Sequence, residues 1–271
     1  MSPRGRLALA LAPLAWLAWQ VAGTPGSVVA GVLLAAVCHL VVVAWIARAA
    51  HVRLQASVAV FAVVWGAAVA APVAATANDV LQARVGGWPL GGAPFVEEMV
   101  KAGLLLLVLG LTELRDVRTG IVIGALVGLG FAVSENLGYF LVARVQDGPA
   151  GLVRAIAIRG VVEGAVHPVL TASTGAGLGL AMARRLVLPG VVGLVAAVGQ
   201  HVMWNGVASP AVSGILCNGI GASGACRGDP DAYRLFVAVP AIVAATLTPG
   251  VVGLAVVARR AGSTGSPRAS T

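Results

Sequence analysis

The sequence predicts an all-α protein, a polytopic membrane helical bundle of about eight transmembrane helices with both termini inside. Two observations of composition and one of pattern carry this. Hydrophobic residues make up 59% of the 271 and charged residues 10%, far under the roughly 25% charge of a soluble domain. The mean hydropathy is +0.95. The apolar residues also gather into runs of about 17–25, the length that crosses roughly 30 Å of hydrocarbon. No soluble domain fits between the runs, so residues 1–258 read as one integral membrane domain and 259–271, rich in Gly, Ser and Arg, as a disordered cytoplasmic tail. The expected location is the cell membrane, multi-pass, with the lipid bilayer as partner. The pI near 10.9 does not point to nucleic acid, because no basic helix, aromatic-interleaved patch or zinc-finger spacing accompanies it.

In chain order the runs are 7–22, 28–47, 55–75, 94–111, 119–143, 155–183, 188–207 and 235–258. The first follows Arg4 and Arg6 and ends Ala22-Gly23-Thr24, a poor cleavage site, so it reads as a transmembrane helix rather than a signal peptide. With the N-terminus inside, Arg4, Arg6, Arg48, Arg53, Arg115, Arg118, Arg184, Arg185, Arg259, Arg260 and Arg268 fall in the cytoplasm. Arg84, Arg144, Arg154, Arg227 and Arg234 fall outside, and Lys101 and Arg159 lie within spans. That asymmetry satisfies the positive-inside rule. Cys217 and Cys226 share the long outer loop, where a disulfide is permitted, while Cys38 reads as a small core hydrophobe. No internal repeat of the kind common in transporters is visible.

Polar residues interrupt four successive spans. The fourth opens Glu97-Glu98-Met-Val-Lys101, and at about 100° per residue the three charges fit within roughly a 100° arc, so one face presents them all to the bundle. The fifth carries Gly120, Gly124 and Gly128, which allow close helix approach, and then Glu135-Asn136 further along the same face. In the sixth, Arg159, Glu163 and His167 recur at intervals of four, followed by Thr171 and Thr174. The seventh ends His201-Val-Met-Trp204-Asn205, with the imidazole and the amide one turn apart and Trp204 read as an interfacial anchor. Counted from the outer helix ends at about 1.5 Å per residue, Glu97, Glu98, Glu135, His167 and His201 all lie in the outer half of the membrane or near its midplane. Left unpaired at the bilayer centre, the six charged groups of spans four to six would cost roughly 15–20 kcal/mol together, so they must pair with one another around a wet cavity.

Such a cavity suits peptide hydrolysis, which needs a base for water, donors for an oxyanion and a proton for the leaving amine. Glu97 or Glu98 can take the acid–base role with Glu135 sharing the proton, and His201 and Asn205 can donate to the oxyanion. Lys101, Asn136, Arg159 and Glu163 read as supporting residues. This mechanism requires no cofactor and is the favoured one. Its rival is a catalytic zinc, which takes three protein ligands and a water; without a His-Glu-x-x-His motif the ligands would come from separate helices, for example Glu98, Glu135, His167 and His201. A Gly-x-Ser-x-Gly elbow and paired intramembrane aspartates are both lacking. The other function classes compatible with the cluster are a proton-coupled transporter or channel and an inactive membrane scaffold. A relay would need polar residues continuing into the inner half, but the sixth span is apolar beyond Thr174 and the fourth beyond Lys101, and a one-sided cavity favours the protease.

Four motifs in order, Glu97-Glu98-Met-Val-Lys101, Phe131-Ala-Val-Ser-Glu135-Asn136, His167-Pro-Val-Leu-Thr-Ala-Ser-Thr-Gly175 and His201-Val-Met-Trp-Asn205, resemble those of the PrsW family of intramembrane proteases. That family is distantly similar to the CAAX-processing and bacteriocin-immunity membrane proteases. The resemblance covers roughly residues 94–207. It implies cleavage of a membrane-anchored anti-sigma factor, as in the best-known member, with Glu97, Glu98 and His167 essential; the expected partner is a single-span membrane protein substrate. His201 and Asn205 match the His-x-x-x-Asn of the distant CAAX proteases, and Glu135 stands where those relatives place a histidine. The family has been described both as metallo- and as glutamic proteases.

Overall fold

The structure, a computed structural model, describes residues 2–85, 92–216 and 238–263. These residues form the all-α bundle expected: α1 Pro3–Ala22, α2 Gly26–Ala49, α3 Ala56–Trp65, α4 Ala71–Val85, α5 Gly92–Thr112, α6 Val117–Ala155, α7 Val166–Arg184, α8 Leu188–Met203, α9 Ser209–Leu216 and α10 Val239–Ser263. Three wider π-helical turns join consecutive helices at Gly66–Ala70, Ile156–Val162 and Trp204–Ala208. Among the described residues, five helical runs are long and apolar enough to cross a membrane, namely Pro3–Ala22, Gly26–Ala49, Ala56–Val85, Val117–Arg184 and Leu188–Val212. The Val117–Arg184 run doubles back at Gly148, whose positive φ of 67° is a backbone state that glycine tolerates without steric cost, and Pro149 follows it. Cys217 and Cys226 lie outside the described residues, Cys38 is a half-buried free thiol, and α10 continues through Arg259 and Arg260 to Ser263.

The hub is α6, nearly continuously buried from Val117 to Ala132. Its glycines explain how neighbours reach it from two sides. A methyl group added at Gly120, Gly124 or Gly128 would lie 2.2, 2.3 or 2.4 Å from the main-chain oxygen of Gly175, Thr171 or His167 of α7. Gly130 does the same for the opposite neighbour, 2.0 Å from the oxygen of Val63 in α3. In a bilayer, where apolar surface gains little by leaving lipid, such close backbone approach is what holds helices together. Pairing Gly120 with Gly175 and Gly128 with His167 makes α6 and α7 antiparallel.

The sixth span is less regular than the single helix expected over 155–183. It runs as a π-helical turn over Ile156–Val162, breaks at Glu163–Ala165, and restarts as α7 with His167 in its first turn. Glycines at 160 and 164 weaken the helix there, and its backbone is held by local bonds, Glu163 N–H to Ile158 O and Val166 N–H to Glu163 O. Irregular backbone at membrane depth is tolerated where protein surrounds it or it lines a polar cavity.

Gly128→Val tests the seam. Overpacking costs about 1–3 kcal/mol, so thermal unfolding in detergent should start several degrees lower, whereas Gly138→Ala, where an added methyl meets nothing within 4 Å, should leave it unchanged.

Candidate active site

The site is assembled on α5. Glu97, Glu98, Lys101, Leu105 and Val108 share its buried face, while Phe95, Met99, Leu106 and Leu107 of the same helix are exposed. The two glutamates differ. The side chains of Glu98 and Lys101 have no exposed surface, and Lys101 Nζ donates to Glu98 Oε1 at 2.8 Å. Glu97 Oε2 stands 3.5 Å from the same ammonium and accepts no hydrogen bond among the described residues. Lys101 also lies over the Phe131 ring, 3.8 Å from its centroid, and its nitrogen is 3.1 Å from His167 Nδ1.

These contacts fix the tautomers, since an ammonium can only donate and a carboxylate can only accept. His167 Nδ1 accepts from Lys101, so the proton of the neutral ring is on Nε2, which donates to Glu135 Oε2 at 2.8 Å. His201 Nδ1 donates to Glu98 Oε1 at 3.0 Å, which turns Nε2 towards Glu97 Oε2 at 3.8 Å. Each imidazole therefore has a carboxylate behind it, and the two rings meet edge to face with centroids 5.2 Å apart.

Arg159 extends the network. It donates from Nη2 to Glu135 Oε2 at 2.6 Å, from Nε to Asn136 Oδ1 at 2.9 Å and from Nη1 to Glu163 Oε2 at 3.1 Å, and it lies over the Tyr139 ring. Ser209 Oγ completes it, donating to Glu163 Oε1 at 2.9 Å. A single chain of polar contacts thus runs from α8 through α5, α7, α6 and the π-helical turn to α9. The Arg159–Glu163 pair expected from the four-residue spacing is present, but it also braces Glu135.

The network borders a cavity of about 290 Å³. Of the residues singled out from the sequence, Glu97, Glu135, Asn136, Arg159, Glu163, His167, His201 and Asn205 line it, whereas Glu98 and Lys101 lie behind. His39, Tyr139, Trp204 and Ser209 line it as well. Tyr139 had a signal in its four-residue offset from Glu135; Ser209 lies past the expected end of the seventh span. Trp204 is 2% exposed and not an interfacial anchor: three residues after His201, about 60° from it around the helix, it shares the side that lines the cavity.

Glu97, His167 and His201 each offer one ligand atom within 4.8 Å of the others, a donor set of the type that binds catalytic zinc. Four carboxylates, Glu97, Glu98, Glu135 and Glu163, face two fixed cations, Lys101 and Arg159, so a divalent ion would also balance the excess charge. On both counts the residues fit a metal. Glu98 and Glu135, expected as ligands on the zinc reading, stand behind the histidines and hold them, the usual arrangement around a metal-bound imidazole.

Residues 54–245, well over half of the chain, match the model of the PrsW family of intramembrane metalloproteases, and the chain belongs to that family. It is accordingly a multi-pass membrane protein and a peptidase. No curated protein and no solved structure matches it.

Removing Lys101 should leave Glu98 buried without its cation and with the His201 hydrogen bond alone, a loss worth about 3–5 kcal/mol. Lys101→Met is expected to unfold well below the wild type on heating, and Lys101→Met/Glu98→Leu to recover part of the loss; a single variant as stable as wild type would show that the pair is not structural.

Proposed function

We propose that this PrsW-family protein is an endopeptidase that hydrolyses a peptide bond of a single-span, membrane-anchored protein, with Glu97 as the group that works on water. The observation that carries the reading is the inequivalence of the two glutamates: both have an unpartnered Oε2, but Glu97 faces the cavity, while Glu98 is sealed behind it with Oε1 held by Lys101 and His201. The outer-half position of the motifs, counted along the spans, supports cleavage on that side of the bilayer, and the family resemblance supports an anti-sigma factor as the substrate class.

The steps follow from these positions. Glu97 takes a proton from a cavity water, and the resulting hydroxide adds to the scissile carbonyl carbon. The oxyanion receives hydrogen bonds from the Asn205 amide and from His201 Nε2–H, the ring carrying its second proton against the Glu98 carboxylate. Collapse breaks the C–N bond as Glu97 returns its proton to the leaving amine. His167 holds one of the Lys101 donors, so that the ammonium stays 3.5 Å from Glu97 rather than capping it. Glu135, braced by Arg159, holds His167 in turn.

The metal-free form is favoured by His167, both of whose ring nitrogens are already partnered, one of them by a cation. A second reading rests on the Glu97, His167 and His201 donor set and the charge excess around it. A zinc-type ion held by those residues would lower the pKa of a bound water and polarise the substrate carbonyl. Glu97 would then serve as a ligand, and Lys101 would donate to Glu98 without sharing His167.

Purified protein in proteoliposomes with a fluorogenic single-span substrate tests both. Glu97→Gln should lower kcat by about 10²–10⁴-fold, the range for removing a general base, with thermal unfolding unchanged, and wild-type activity should survive chelation. Activity lost to chelator and restored by zinc would establish the metal reading instead; full activity in Glu97→Gln would sink both.

A further inference from the structure

His39 takes no part in the mechanism above, and it lies on α2, outside the residues 54–245 matched by the family model. The buried seam of α2 is Val28, Gly31, Ala35, His39, Val43 and Ile46, a helical stripe in which His39 is the one polar member. A histidine in such a stripe is an ordinary core residue when both nitrogens are satisfied, and here one is not. Nδ1 meets the main-chain oxygen of Ala35, one turn earlier. A carbonyl only accepts, so Nδ1 carries the proton and Nε2 of the neutral ring presents a lone pair. Among the described residues Nε2 has no hydrogen-bond partner. The ring is 1% exposed and lines the same cavity as Glu97, Glu135 and His201.

The placement is built into the packing. A methyl group at Gly160 would lie 3.0 Å from Ala35 Cβ, and one at Gly31 would lie 2.6 Å from Ile156 Cδ1. Two turns of α2 are therefore pressed against the π-helical turn that carries Arg159, which sets His39 beside the cavity wall.

An acceptor that lines an enclosed cavity and has no partner among the described residues is open to a ligand. A peptide drawn out of its helix inside a membrane has the converse need, because each freed main-chain N–H lacks both its helical partner and bulk water. Of the neighbouring acceptors, Glu135 Oε2 is engaged by Arg159 and His167 and Glu163 by Arg159 and Ser209, while the free oxygen of Glu97 is the one assigned above to water. We propose that His39 is a substrate-binding residue whose Nε2 accepts a hydrogen bond from a main-chain N–H of the unwound substrate segment. The proposal rests on the protease reading above.

The test is a KM-against-kcat comparison in proteoliposomes, paired with substrate binding measured in the non-cleaving Glu97→Gln background. Loss of one neutral hydrogen bond should raise KM about 3–10-fold in His39→Leu, with kcat within about twofold of wild type and binding in the Glu97→Gln background weakened by a similar factor. His39→Gln, whose amide oxygen can also accept, should restore both. Unchanged KM and binding in His39→Leu, or failure of His39→Gln to rescue a folded protein, would overturn the assignment, as would a fall in kcat at constant KM. A wild-type protein that binds the substrate without cleaving it would sink the protease reading, and the binding arm would still decide the role of His39.

Discussion

The constraint on which the site depends is the burial of one ammonium group. Lys101 has no exposed surface, and in hydrocarbon its charge is tolerable only with anions and acceptors packed around it. Glu98 supplies the anion, His167 an acceptor and Phe131 a ring face. Each of these is on a different helix from at least one other, so the ammonium draws α5, α6 and α7 to one point. Through Glu98 it also captures His201 of α8. The same demand separates two adjacent glutamates that the chain itself does not distinguish. One faces inward, where Lys101 holds it, and its neighbour, a 100° step around the helix, is left facing the cavity.

Charge balance then decides what else the cavity must hold. Four glutamates and two fixed cations in one buried cluster leave an excess of two negative charges if every carboxylate is ionised. Desolvated charge at this density is not stable, and two protons or one divalent ion restore neutrality equally well. Two protons that leave Glu97 ionised suit the metal-free mechanism; an ion among Glu97, His167 and His201 suits the other. The two proposed mechanisms therefore use one electrostatic framework.

The residues of the site were legible wherever helical periodicity alone fixes a face. Glu97, Glu98 and Lys101 share an arc, Gly120, Gly124 and Gly128 share a seam, and Glu135 continues along it; each lies inside a regular helix where about 100° per residue holds. What was not legible lies at or beyond the π-helical turns. The turn over Ile156–Val162 and the break after it place Arg159 and His167 in separate segments, yet both still reach Glu135, a convergence that follows from tertiary packing and not from the four-residue interval. Ser209 follows the turn at Trp204–Ala208 and reaches the cavity from beyond the expected end of the seventh span. A π-helical turn has no strong local signature, because its hydrogen bonds are sustained by the contacts around it. His39 escaped notice for a different reason: a lone histidine in an apolar span has the same appearance whether or not its second nitrogen is satisfied.

The weakened backbone of the sixth span also explains why the N-terminal helices belong to the working structure, although the family match begins only at residue 54. Gly160 and Gly164 remove the side chains that would otherwise pack this segment, and the π-helical turn forgoes the regular helical bonding pattern. Something must press on it from outside if Arg159 is to be held within 2.6 Å of Glu135. The described contacts show α2 doing so, with Ala35 against Gly160 and Gly31 against Ile156. Because Arg159 braces Glu135 and Glu135 braces His167, a loosening of α2 would propagate to the imidazole over three contacts. The position of the site is therefore set by helices on both sides of the irregular segment, and the motif-bearing helices alone do not contain all the forces that define it.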